Sequence, residues 1–512
     1  MSFYRNNDSS SVDAQVARQL QTDLGMRYAT LIFAVLLGHV VSAEATEVLL
    51  KARDQATTNW AKVISKRFKA TVEKLIPGLN AVILQVPAAN VASFVKSARN
   101  NPAISAVEAV SDYRQLFRFT PSTNFDDVKI SQAQKEAVSR LRERKTSASV
   151  YVAQVRPADI SLDLLRGALT IADGFTKENG IKLNLAPGVK VDALQKEITQ
   201  RGPSSFVWNG EVENRGAARA RRNGIATFVV QDGKISGSVV IGSDVYIINP
   251  LGNGLHAIVK TNPSVYPPEH PPGTAPKIHD APEPRLQKEG MLQDQSTIVV
   301  RALVVYTPAV RKALDQFGSS PDTLATLAIE STNLASKNSN VRMLLKLVKA
   351  EEIAYVERDF PSDLAMLQGS AWVKAEREAA KANVVFLLTT VFDYCGLSDV
   401  VLADKNSAFA VINYICAVGN FSLAHEFGHL LGLRHERAAD EADKPFRNGH
   451  GYVYKNEWRT IMATRKACNS CPRIPFWSNP SIKYNGVPLG TKDYEDEADV
   501  INDTAPIIAG FQ

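Results

Sequence analysis

The chain has 512 residues, of which 45% are hydrophobic and 22% charged, both ordinary for globular protein. A formal net charge of +6 is small for this length and gives no argument for nucleic-acid binding. The length allows about two to four domains, and the four cysteines all fall in the last of them.

Read in chain order, residues 1–25 are polar. Met26-Arg27 then precedes an apolar run from Tyr28 to Val41, followed by Val41-Ser42-Ala43. This pattern is that of a secretory signal (26–43) with small-residue cleavage after Ala43. The run is short for a spanning helix. Met26 is therefore read as the true start and 1–25 as a non-native or disordered extension. An uncleaved signal anchor is the alternative.

From 44 to 120 strand-like and helix-like segments alternate. Strands are predicted at Val48–Ala52, Ala81–Val86 and Ile104–Glu108, and a helix from Val91 to Asn100 stopped by Asn101-Pro102. This order resembles the small ferredoxin-like α+β propeptides ahead of subtilisin-type proteases. A charged helix, Ile130 to Lys145, leads into a mostly β region within 121–262. There, 226–230 and 235–241 form a predicted hairpin turning at Asp232-Gly233, and 245–248 pairs with 255–259. The cluster Arg219-Ala220-Arg221-Arg222 reads as a solvated loop between strands, or else a processing site.

Residues 263–284 contain eight prolines, including Pro267-Pro268 and Pro271-Pro272. Such a stretch is extended and forms no regular core element. Residues 263–296 are read as a linker and activation region. From 297 to 512 the predicted elements are a strand over 301–306, a helix over 321–336, a strand over 341–348, and helices over 363–367 and 371–382. An apolar strand over 383–389, a strand over 410–415 and a closing helix over 494–509 complete the set. This is an α/β (α+β) domain with a mixed, mostly parallel sheet.

The chemistry is concentrated in His425-Glu426-Phe427-Gly428-His429-Leu430-Leu431-Gly432-Leu433-Arg434-His435, which reads H-E-x-x-H-x-x-G-x-x-H. His425 and His429 are four apart and share one helical face. Gly432 can take a positive φ, end the helix and return His435 as a third ligand. Neutral imidazoles suit zinc, and three protein ligands leave a position open for water. Glu426 is placed to be the general base for that water. Three of the chain's eight histidines fall here. A plain core helix has no reason to bury three imidazoles and a carboxylate unpaired.

The segment resembles the metzincin metallopeptidases, whose long zinc motif is followed by a methionine turn. The matching turn is Thr460-Ile461-Met462-Ala463, and the resemblance implies that Met462 forms an apolar floor beneath the ligands. The strand opening at Val299 and the segments 471–480 and 486–490 are similar to those of reprolysin-like bacterial enzymes. Peptidyl-Asp-type metallopeptidases share the layout. Two positions depart from neighbouring families: Glu436 follows the third histidine where reprolysins carry Asp, and Thr464 stands where astacins carry a ligand Tyr. Sequence proximity and the resemblance favour disulfides Cys395–Cys416 and Cys468–Cys471. The second pair could instead be half of a zinc knuckle or a redox motif.

The resulting expectation is a secreted bacterial zinc metalloendopeptidase, acting on protein or peptide substrates and made as a zymogen. Its own pro-region would serve as intramolecular inhibitor or chaperone. No cysteine precedes the catalytic domain, so a thiolate cannot cap the zinc. His270, His279 and Asp280 are the candidates to block it, and each is equally readable as an ordinary loop residue. If the peptidyl-Asp resemblance extends to specificity, Arg473 or Arg465 could favour acidic side chains; His450 reads as structural or surface. The alternatives are a membrane-anchored peptidase and a catalytically weak zinc-containing binding protein.

Overall fold

A computed structural model describes residues 45–52, 68–76, 81–101, 104–109, 118–119, 130–144, 146–154, 180–202, 205–214, 221–231, 234–270, 277–278 and 296–511. The signal segment, the start at Met26, the turn at Asp232-Gly233, Arg219-Ala220, His279 and Asp280 lie outside the described residues. The chain divides into two compact units, 1–113 and 114–512. The β-rich region and the zinc-motif region thus share one unit.

In the first unit, Ala45–Ala52, Thr71–Ile76, Ala81–Pro87 and Ile104–Ala109 form an antiparallel sheet in the spatial order second, third, first, fourth. The helix Val91–Arg99 buries Phe94 and Ala98 against Leu84 and Val86. The helix ends with the Asn100 and Asn101 N–H groups donating to the Lys96 and Ala98 carbonyls.

The second unit opens with nine antiparallel strands, from Arg118–Phe119 to Leu255–Thr261. Trp208 and Phe228 lie opposite one another in register, ring centroids 5.5 Å apart. Arg221 and Arg222 begin a strand here and are not loop residues, because they pair with Asn214 and Glu213. The charged helix runs Gln132–Glu143 and starts with a capping box between Ser131 and Gln134. It buries Ala137, Val138 and Leu141 against Leu255 and Ala257.

A five-stranded sheet follows. Ile298–Tyr306 lies between Met343–Glu352 and Val384–Thr389, and Phe409–Asn413 extends the sheet, all parallel. Gly396–Leu397 closes one edge antiparallel. Alternation along the first strand explains its unbroken apolar run. Ala302 and Val304 face a core with the helices Pro321–Asn338, Ser422–Leu430 and Glu497–Ala509, while Leu303 and Val305 face Phe360, Leu364 and Val373. Val207, Val229 and Val240 of the nine-stranded sheet join the first of these cores. The two sheets therefore bury apolar surface together.

Two differences from the sequence reading have local causes. An unexpected helix, Pro308–Asp315, starts where Thr307 accepts the Val310 N–H and Pro308 sits in the first turn. The closing helix begins at Glu497, later than expected, because Asp496 caps it. No helix among the described residues is long and apolar enough to cross a membrane.

Candidate metal centre

The site is built on the helix Ser422–Leu430, all of whose residues are buried. Its last turn is tied by outside donors: Leu402 N–H to the His429 carbonyl and Ala403 N–H to that of Leu430, each at 2.9 Å. These bonds satisfy carbonyls that a helix end otherwise leaves open. Gly432 adopts φ +97°, and a Cβ there would stand 2.9 Å from the Phe446 ring. The chain turns back at that glycine and brings in His435.

Four imidazoles converge, those of His270, His425, His429 and His435, with ligand atoms all within 4.8 Å of one another. The Nε2 atoms of His270 and His425 are 3.2 Å apart, those of His270 and His429 3.0 Å, and those of His425 and His435 3.2 Å. His425 Nδ1 lies 2.9 Å from the Ile461 carbonyl oxygen, and His429 Nδ1 2.9 Å from that of Leu433. A carbonyl only accepts, so both Nδ1 atoms carry the proton and both Nε2 atoms present lone pairs. Burial, the largest influence, lowers all four pKa values, those of His429 and His435 to about 3. The two lone pairs so fixed, on His425 and His429, point at one place and are complementary to a cation there. Zinc–nitrogen bonds of about 2.0–2.1 Å imply tetrahedral edges of roughly 3.3 Å. The observed spacing is close to that, and the donor set fits a zinc ion.

Glu426 lies beside this centre, with Oε1 3.8 Å from His270 Nε2. Both carboxyl oxygens are buried, and among the described residues only the Ser398 backbone N–H approaches as a donor, too loosely for a full hydrogen bond. Burial, reinforced by Glu269, pushes its pKa well above the ordinary range, and Arg473 opposes that. Gly396 makes room for it, since a Cβ there would lie 2.2 Å from Oε1. Met462 is fully buried and packs at Gly428, where an added Cβ would come within 2.3 Å of its sulfur. Glu436 accepts from the Thr464 N–H at 2.7 Å and hydroxyl at 2.8 Å. The two departures noted in the sequence are thus partners, joining the third-histidine segment to the methionine turn. His450 is wholly buried, its Nδ1 2.7 Å from the His435 carbonyl oxygen, which places it within the structure and not on the surface.

The pairs Cys395–Cys416 and Cys468–Cys471 are disulfides, and no described cysteine is free. Tyr266 packs on the first of them.

Of the three blocking candidates only His270 is described, and it stands in the centre itself. The segment leading to it is docked along the sheet edge: Cys395 N–H donates to the Pro268 carbonyl at 2.9 Å and Gly396 N–H to that of Glu269 at 3.2 Å. Arg465 donates to the carbonyls of Ser264 and Tyr266, so it clamps this segment from outside. Arg473 is buried and donates to Glu269 Oε1 at 2.7 Å.

Sequence reasoning singled out neither Glu269 nor Arg459, whose Nη1 lies 3.6 Å from the same oxygen. A signal was present. Glu269-His270 is bracketed by Pro267-Pro268 and Pro271-Pro272, and flanking prolines hold a segment extended.

Residues 296–475 match the Reprolysin_5 model of metallo-peptidase family M12. A peptidyl-Asp metalloendopeptidase of Xanthomonas campestris pv. campestris is 33% identical over 340 residues, 64% of this chain and 80% of the relative. One from Stenotrophomonas maltophilia is 33% identical over 347 residues, 64% of this chain and 81% of that protein. Among solved structures, metalloproteinase-II from Bacteroides fragilis aligns with a TM-score of 0.32 at 11% identity, over 53% of this chain and 85% of that one.

Proposed function

This chain belongs to the peptidyl-Asp metalloendopeptidases of metallo-peptidase family M12, and from that premise we propose an exported zinc endopeptidase, made as a zymogen, that cleaves beside acidic residues. The observation that carries the reading is the convergence of four imidazoles next to the buried carboxylate of Glu426.

His425, His429 and His435 would hold the ion. A zinc ion held there would supply a Lewis acid and would lower the pKa of a bound water from about 15.7 to about 7. The chain's own residues do the rest. Ile461 and Leu433 fix two ring tautomers through their carbonyls. Glu426 takes a proton from the attacking water and returns it to the leaving amine. Burial raises its basicity, as that role requires. Met462 packs at Gly428 and supports the helix that carries two of the ligands.

His270 accounts for latency. Its Nε2 stands among the ligand nitrogens, where water would otherwise approach, so the docked segment would prevent turnover. Removing 263–270 by cleavage in the proline-rich stretch frees that position. Export rests on the sequence pattern at 26–43, and acid preference on the names of the relatives.

A product-mapping digest tests the reading. The full-length chain and its Glu426→Gln variant are each incubated with an unfolded protein mixture after limited trypsin treatment, and new termini are read by mass spectrometry. New termini beside acidic residues from the wild type, absent with the variant, are expected. Equal cleavage by both would remove Glu426 from its role.

A further inference from the structure

We infer that Arg473, backed by Arg459, is the specificity-determining group that receives the acidic side chain of the substrate, and that Glu269 of the pro-segment occupies its place in the proenzyme. This rests on the acid-preferring endopeptidase reading above.

Arg473 is 3% exposed, Arg459 0% and Glu269 5%. Glu269 Oε1 accepts from Arg473 Nη2 at 2.7 Å and lies 3.6 Å from Arg459 Nη1, while Asn420 Nδ2 donates to Oε2 at 3.3 Å. The two arginines have different tasks. Arg459 donates to the carbonyls of Cys471 and Ala463 and so builds the wall. Arg473 donates to the carbonyls of Asn420 and Ala463, but its Nε–H is buried with no partner among the described residues. Glu269 is the only carboxylate within ion-pair distance of Arg473 among the described residues.

Position relative to the metal centre gives this arrangement its meaning. Arg473 Nη2 comes within 3.3 Å of His425 Nδ1. That nitrogen donates to Ile461, so the approach is a contact and not a bond. The guanidinium therefore lies directly behind a metal-directed ring. The pro-segment lies along the sheet edge by hydrogen bonds at Pro268 and Glu269, with His270 at the metal position and the preceding side chain in the arginine pocket. A substrate on the same edge, with its scissile bond at the metal position, would send a flanking side chain into that pocket.

Once the pro-segment leaves, a buried guanidinium loses its carboxylate. An incoming Asp restores a charge-assisted pair. An Asn of the same shape leaves the charge uncompensated, which is the kind of buried mismatch that discriminates strongly. The geometry thus selects for a carboxylate, whereas Arg465, bound to the outside of the pro-segment, has no part in selection.

The test uses full-length chain treated with trypsin until peptide cleavage is maximal, and two peptides identical except for Asp or Asn at one position. The wild type is expected to favour the Asp peptide by on the order of 100-fold in kcat/KM. In Arg473→Gln that ratio falls to near one. A ratio that persists in the variant overturns the assignment and leaves the endopeptidase reading intact. A wild type without Asp preference defeats the acidic-substrate reading and the pocket with it. Because the variant removes a buried pair and can fail to fold, a second measurement needs no mutation. The synthetic peptides Pro-Pro-Glu-His-Pro-Pro, which is residues 267–272, and Pro-Pro-Gln-His-Pro-Pro are compared as inhibitors of the wild-type enzyme. Tighter inhibition by the Glu peptide, by about tenfold or more, is expected for charge-assisted recognition. Equal inhibition overturns the proposal.

Discussion

Replacing Glu269 by Gln in the full-length chain should loosen the docked segment that carries His270 without unfolding the protein. The wild-type carboxylate and Arg473 are both at most 5% exposed and 2.7 Å apart. Breaking a buried ion pair by removing one partner costs about 3–5 kcal/mol. Glutamine keeps an oxygen that can accept from Arg473, so part of the bond survives and a loss of about 2–3 kcal/mol is the better figure. At about 1.36 kcal/mol per decade this is a ~30–150-fold shift from docked toward undocked. Two backbone amides report it directly: the N–H groups of Cys395 and Gly396 donate to the carbonyls of Pro268 and Glu269. Their hydrogen-exchange protection, read by NMR or by mass spectrometry with fragmentation, should fall by that factor. Amides of the parallel strand Val384–Thr389 should not change. Unaltered protection at Cys395 and Gly396 would refute the idea that the buried pair holds the segment in place.

Four further outcomes follow from the geometry. Glu426→Gln should retain stoichiometric zinc by elemental analysis yet lose about 10²–10⁴-fold in turnover; retained turnover would exclude it as the base. His429→Ala should lose the metal, and full occupancy by the same assay would contradict its place as a ligand. Gly432→Ala requires φ +97° of an L residue and places a Cβ 2.9 Å from Phe446, so denaturant unfolding should show a loss of about 1–3 kcal/mol. Burial raises the Glu497 pKa to about 8, with the Ser478 N–H and hydroxyl acting to lower it. A carboxyl raised in the folded state costs stability as pH climbs from its unfolded value through its folded one, here between about 4.5 and 8. Glu497→Gln should therefore match the wild type near pH 4.5 and exceed it above pH 8, by at most about 5 kcal/mol; parallel stability curves would show that Glu497 does not titrate in this way.

The convergence of the motif histidines was legible because its information is local. His425 and His429 meet through helical periodicity alone, and Gly432 returns His435 within a few residues. The strands near Ala302 and Val385 were legible because a sheet covered on both faces needs an unbroken apolar run. Cys468 and Cys471 are close enough in sequence to suggest their own pairing.

Tertiary structure decided everything that depends on residues far apart in the chain. Nothing local separates His270 from His279, since a proline-rich segment carries no periodicity to say which side chain points where. Docking at Cys395 and Gly396 sets that register. Arg473 and Arg465 are equivalent by composition, yet one is buried behind His425 and the other clamps the Ser264–Tyr266 stretch from outside. Glu436 and Thr464 looked like separate departures from a pattern and are one hydrogen-bonded pair. Helix spacing acts over a few residues, whereas burial of charge is decided by whichever distant segment supplies the opposite charge, and only the folded chain brings Glu269 to Arg473.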